Sequence, residues 1–183
     1  QPKERLERDL RRIAAAGLVR SPAKITSVRY RHGDSSLLTI LMLLAVDIGN
    51  TSTKFGTFDG DRLVSKISIP TIREVTPEGL AAVLSSRIPS NITGAIVCSV
   101  VPETEAAMDG YLRSAFAVEP RFVSNDLDFG LTINYTPLEA VGADRLVNAF
   151  SAVETYGLPC VVCSFGTALT IDAVDADRNL LGG

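Results

Sequence analysis

Two short stretches of the chain carry residue types suited to holding phosphate. In the first, residues 45–55 (AVDIGNTSTKF), an apolar run reaches Asp47 and is followed by Gly49, Asn50, Thr51, Ser52, Thr53 and Lys54. A glycine lets the backbone approach an oxyanion and adopt dihedrals that other residues avoid. Successive turn N–H groups and the hydroxyls can then donate to that anion, and Lys54 adds a point charge. Asp47 would not meet phosphate directly but offers oxygen to Mg²⁺ or its waters. The second stretch, residues 161–172 (VVCSFGTALTID), repeats this shape 117 positions later, setting Gly166 on Gly49, Thr170 on Thr53 and Ser164 on Asp47. One such turn is equally an ordinary tight hairpin, whereas two facing hairpins can clamp one polyphosphate. A third group, Gly142-Ala143-Asp144-Arg145, sets an acid beside a base at the start of a helical pattern, which alone is a common surface pairing.

Other chemistries lose their support. No G-x-x-x-x-G-K-[ST] and no G-x-G-x-x-G follows a strand-like run, which argues against P-loop and dinucleotide-binding turns. The single histidine, His32, lies near the N-terminus, so hydrolase chemistry based on imidazole has no base in the regular part of the chain. Cys98, Cys160 and Cys163 are odd in number and fit no zinc spacing; they read as reduced thiols of a cytoplasmic protein, expected to be buried in apolar strands. The longest apolar run, residues 37–46 (LLTILMLLAV), is about half the ~20 residues a bilayer span needs, so no membrane association is expected.

The net charge of -3 conceals a step: residues 1–36 hold nine Lys/Arg against four Asp/Glu, and residues 37–183 hold nine against seventeen. Together with the initial Gln, this leads to the expectation that residues 1–41 are a helical or disordered leader of different origin and that Met42 is the natural start. The leader's helical spacing (Leu6, Leu10, Ile13) followed by a basic strand-like stretch allows one rival reading, a nucleic-acid-binding appendage. The leader is too short for its own core, and no nucleic-acid partner is expected.

From Met42 the pattern is regular. Residues 42–47, 54–60 and 62–69 read as three strands. Thr76 as N-cap with Pro77 at the first position opens a helix, residues 94–100 form a buried strand, and Pro102 opens a second helix with two acids near its positive end. Further strands are expected at residues 120–125 and 131–135, then a third helix from Asp144 that Gly157 ends. Residues 160–164 and 168–174 start the hairpin again. The fold class is α/β: one complete domain over 42–157 and the opening of a truncated second over 158–183.

This arrangement resembles the actin-like ATPase superfamily (ribonuclease H-like domains), whose two related domains each open with a phosphate-binding hairpin. Within it, DIGNT at 47–51, SVVP at 99–102, GADRLVNA at 142–149 and FGTALTID at 165–172, in this order, resemble type III pantothenate kinase. The likeness runs from Met42 to Gly183. It implies an ATP-dependent phosphorylation of pantothenate, the first step towards coenzyme A, by a cytosolic homodimer using Mg²⁺ and a monovalent cation such as K⁺ or NH₄⁺. It assigns the general base to Asp144, the clamp on the pantothenate carboxylate to Arg145, and the rest of that pocket to Tyr135, Gly142 and Ala143. It gives the ATP phosphates to Asp47, Gly49, Asn50, Thr51, Ser52, Thr53 and Lys54 and, from the second hairpin, to Gly166 and Thr167.

Two departures qualify this expectation. The family usually has an acid where this chain has Ser164, the position assigned to the monovalent cation, so cation binding is expected to weaken. The family also continues past the position of Gly183, so the 183-residue chain is expected to be inactive by itself. The alternative is a non-catalytic relative that keeps the nucleotide pocket.

Overall fold

The continuous apolar run Leu43-Leu44-Ala45-Val46 has no polar face to offer solvent, and it forms a strand covered on both sides. This strand, β1 (Met42–Ile48), lies between an antiparallel partner, β2 (Ser52–Asp59), and a parallel one, β4 (Ile92–Ser99). With β3 (Arg62–Pro70) and the short β5 (Arg121–Phe122), the sheet runs β3-β2-β1-β4-β5. The computed structural model describes residues 42–125, 127–137 and 141–183, so the expected leader helix and basic strand lie outside the described residues.

Three helices follow from local signals. Helix α1 (Pro77–Leu84) begins where Thr76 Oγ1 accepts from the Gly79 N–H, as expected of a cap. Pro102 opens a single 3-10 turn (Pro102–Thr104), and α2 (Glu105–Phe116) begins only at Glu105. Helix α3 (Ala143–Tyr156) starts one residue before the expected Asp144 and ends at Gly157, whose φ of +84° suits a residue without Cβ. Helices α1 and α2 cover one face of the first sheet, packing Leu80, Leu84, Met108 and Leu112 against Leu44, Val46 and Phe55.

The other face is covered by α3, and this placement organises the rest of the molecule. Leu146, Val147, Phe150 and Val153 recur at helical spacing and share a core with Leu43, Ala45 and Ile96 of the first sheet and with Val174 and Leu180 of a second. Burying the Phe150 side chain contributes about 1.5–3 kcal/mol. The second sheet runs β6-β9-β8-β7, built from β6 (Thr132–Ile133), β7 (Cys160–Phe165), β8 (Leu169–Val174) and β9 (Asn179–Gly182). Strand β6 precedes α3 in the chain yet pairs with β9, so the second sheet recruits a strand from before residue 157.

The thiols differ from expectation. Cys98 is buried, but Cys160 is half-buried and Cys163 exposed, because alternate residues of β7 face away from α3.

Candidate active site

The first turn is tighter than its sequence suggests. Strand β1 runs through Ile48 and β2 begins at Ser52, so only Gly49, Asn50 and Thr51 form the turn. The Gly49 N–H donates to the Ser52 carbonyl at 3.1 Å, and a Cβ on Gly49 would press to 3.2 Å from that same oxygen. Register puts Asp47 opposite Lys54, where Lys54 Nζ donates to Asp47 Oδ2 at 3.0 Å. The lysine charge expected to face phosphate is thus shared with the carboxylate beside it.

Thr53 requires a correction. It lies within β2, buried, and its hydroxyl bonds to that of Thr71 at 3.0 Å, so it braces the turn from behind. Thr71 also donates from Oγ1 to the Gly49 carbonyl at 2.6 Å and from its N–H to the Thr51 carbonyl at 3.0 Å. Asn50 and Thr51 remain exposed and Ser52 half-buried, leaving these three with Gly49 as the solvent-facing part of the turn.

The second turn meets the first. The Gly166 N–H donates to the Ala168 carbonyl at 3.1 Å, and the hydroxyls of Thr167 and Thr51 share a hydrogen bond of 2.6 Å. Two turns 116 residues apart therefore come together at the closed ends of their hairpins. Ser164 points towards α3, where its Oγ accepts from Asn148 Nδ2 at 3.1 Å.

Asp144 sits on the first turn of α3, near the positive end of the helix. Its Oδ1 accepts from the Arg145 N–H at 2.9 Å, and Gly142 permits this fold-back: a Cβ there would stand 2.5 Å from Asp144 Oδ1. Burial pushes the Asp144 carboxyl above the ordinary carboxylate range; the Arg145 N–H opposes this, and the Asp47 charge adds to it. The Cys98 thiol is raised mainly by burial and further by the charges of Asp47, Asp144 and Glu105. Ala143 is buried in the α3 core and can offer a ligand only backbone.

Arg145 departs furthest from expectation. Its Nε donates to both carboxylate oxygens of Asp172 at 3.1 Å, and Nη2 makes a further short contact to Oδ1. The guanidinium carbon lies 5.2 Å from the centre of the Tyr135 ring, a cation–π distance, and Tyr135 in turn packs against Gly182. Asp172 is 1% exposed and holds Arg145 strongly in its charged form. The arginine that the resemblance assigns to a substrate carboxylate thus pairs with Asp172 through Nε and Nη2, and it ties α3 to β8. A carboxylate on the inward face of a half-apolar strand demands a buried cation, the signal by which Asp172 could have been found.

Sequence reasoning also missed Thr71, Arg73, Glu103 and Asn148, each remote in sequence from its partner. Arg73 Nη2 donates to Asn50 Oδ1 at 2.9 Å, and Nη1 makes a short contact to Glu103.

Asp47 offers an oxygen ligand of the kind Mg²⁺ takes, and the position expected to serve the monovalent cation carries a neutral hydroxyl. Mg²⁺ binds through one or two carboxylates plus phosphate oxygens and water, and Asp47, whose Oδ2 accepts from Lys54, supplies one such carboxylate. Around Ser164 the available oxygen is a neutral hydroxyl already engaged by Asn148, and the Asp172 carboxylate on the same face is committed to Arg145. Among the described residues no group of three or more His, Cys, Asp or Glu is placed to hold a metal, and no helix is long and apolar enough to cross a membrane.

The profile of the family described as type III pantothenate kinase matches residues 43–183. A type III pantothenate kinase of Desulfatibacillum aliphaticivorans is 40% identical over 149 residues, covering 78% of this chain and 58% of its own length. One from Paramagnetospirillum magneticum is 41% identical over 149 residues, covering 78% and 57%. The chain thus spans between half and two thirds of the length of the curated relatives it matches. Among solved structures, an inorganic polyphosphate/ATP-glucomannokinase from Arthrobacter sp. strain KM overlays at a TM-score of 0.40 with 17% identity, over 78% of this chain and 61% of its own.

Proposed function

This chain belongs to the type III pantothenate kinase family, and from that premise we propose that it forms the phosphate-gripping half of an enzyme that transfers the γ-phosphoryl group of ATP to the primary hydroxyl of pantothenate. In that reaction the substrate oxygen bonds to the γ-phosphorus, the bond from that phosphorus to the β,γ-bridging oxygen breaks, and ADP leaves. Such a transfer needs positioning and charge neutralisation, with one group to receive the hydroxyl proton.

Asp144 is the proposed proton acceptor. Its raised affinity for a proton makes it a better base than an exposed carboxylate, and its place on the first turn of α3 fixes its direction. The backbone N–H groups and hydroxyls at Gly49–Ser52 and at Gly166–Thr167 bind the phosphates from two sides. Asp47 would hold Mg²⁺, which when bound neutralises phosphate charge. Tyr135 and Gly142 border the acceptor pocket, while Arg145 orients the β8 side of it through Asp172. The contact between Thr51 and Thr167 carries this reading, because it brings both turns to one place.

Residues 42–157 are taken as the first domain and 158–183 as the start of a second, and the longer protein as a cytoplasmic homodimer, as the family likeness implies. Dependence on K⁺ or NH₄⁺ is weakened or absent, since the Ser164–Asn148 pair leaves no carboxylate for the ion. That same pair favours a second reading, a nucleotide-binding relative that no longer turns over. ADP release by the full-length protein, with and without pantothenate, tests the first reading; release that ignores pantothenate at every K⁺ concentration would contradict it. A large K⁺-dependent gain in Ser164→Asp indicates a weakened enzyme, and no change in a protein that still binds ATP indicates the second reading.

A further inference from the structure

We propose that Arg73 is a positioning residue that sets the polarity of the first phosphate turn by holding Asn50 with its oxygen turned to the guanidinium. The inference rests on the phosphate-binding reading of that turn and extends it to residues outside both hairpins.

An asparagine at the tip of a phosphate turn has an ambiguous side chain. Its amide can present the NH₂ group, which donates to an anion, or the carbonyl oxygen, which repels one. Here Asn50 Oδ1 accepts from Arg73 Nη2 at 2.9 Å, so the acceptor end is occupied and the Nδ2 donor is the end left over. Arg73 is fixed in turn by Glu103 on the 3-10 turn before α2, whose carboxyl is held below its ordinary range by backbone hydrogen bonding first and by Arg73 second. A planar fork suits this bridging task, because its two terminal nitrogens can serve two acceptors without rotation.

The bridge belongs to a larger brace. Residues 71–73 follow β3 directly, and Thr71 binds both the Gly49 and the Thr51 carbonyls. Arg73 therefore acts at the exposed tip and Thr71 at the base of the same turn. Asn50, Arg73 and Glu103 are all exposed, so the bridge adds little to overall stability, and its cost in ordered side chains is recovered only if the turn's shape matters. The second turn has no counterpart among the described residues: Thr167 is held only through Thr51.

The test uses the purified chain and MgATP, with Arg73→Met, Arg73→Lys and Asn50→Asp. Calorimetric titration reads ATP affinity, and hydrogen exchange reads the Gly49 and Thr71 amides without nucleotide. Arg73→Met should speed exchange at both amides roughly five- to tenfold through loss of one hydrogen bond, with the β1 amides unchanged. It should weaken MgATP about tenfold, and Arg73→Lys should recover part of both effects because its ammonium reaches one acceptor at a time. Asn50→Asp keeps the bridge but replaces the donor with a second negative oxygen, so it should leave exchange slow while weakening MgATP more than Arg73→Met does. Unchanged exchange and unchanged affinity in Arg73→Met would overturn the proposal. If the unaltered chain fails to bind MgATP, the phosphate reading falls, and the exchange rates alone decide whether Arg73 shapes the turn.

Discussion

The two hairpins share a sequence shape and are supported in opposite ways. In β1–β2 both faces are covered: Val46 and Phe55 are 0% and 1% exposed against α1 and α2, while Ala45 meets α3. In β7–β8 only the inward face is covered. Val162, Asp172 and Val174 are buried towards α3, whereas Phe165 at 85%, Val161 at 65% and Leu169 at 58% stand in solvent. The first hairpin is thus held by apolar burial and the second by α3 and one buried ion pair, Arg145–Asp172. Similar turns can therefore have very different local stabilities, which depend on what packs behind them.

The largest effect should come from the first hairpin. Phe55→Ala removes a fully buried ring and should cost about 3–5 kcal/mol, measured as a lower urea midpoint for the whole chain. Next, Asp172→Ala leaves the half-buried Arg145 guanidinium without its carboxylate and should cost about 1.5–3 kcal/mol, concentrated in the second sheet. Hydrogen exchange should then accelerate in β7 and β8 and hold in β1 and β2; a uniform loss across both would break the contrast drawn here.

A smaller effect concerns pH. Asp144 binds its proton more tightly folded than unfolded, chiefly because it is buried. Between the unfolded and the raised folded value the native state carries more protons, so this group's contribution is present at low pH and is lost as pH rises through that window. Asp144→Asn should remove that decline, so that the variant gains relative to the parent as the pH of urea denaturation rises from 3 to 7. The smallest effect is expected at Phe165→Ser, within about 0.5 kcal/mol, because that ring has little burial to lose.

These contrasts also show what the sequence discloses. Strands β1–β4, β7 and β8, the Thr76 cap, the Gly157 stop and the alignment of Gly49 with Gly166 are written in local composition, whereas β9 is not foreseen and the strands expected at 120–125 and 131–135 shrink to Arg121–Phe122 and Thr132–Ile133. The turn limits were less legible, since Ser52, Thr53 and Lys54 look like turn residues until register with Ile48 and Asp47 draws them into β2. The role expected of Arg145 comes from the family resemblance and not from the residue pattern, and its ion pair with Asp172 is visible only in the tertiary structure. Arg73 and Asn148 were invisible for the same reason. Their partners lie 23 and 16 positions away, at distances no helical or strand period connects.

The central claim is that both turns grip one polyphosphate. Amide chemical shifts of Gly49, Thr51, Gly166 and Thr167, followed together while MgATP is titrated into the chain, test it most directly. The account predicts that all four move along one saturation curve with a single dissociation constant. Movement at Gly49 and Thr51 alone, with Gly166 and Thr167 unchanged at saturation, would contradict it.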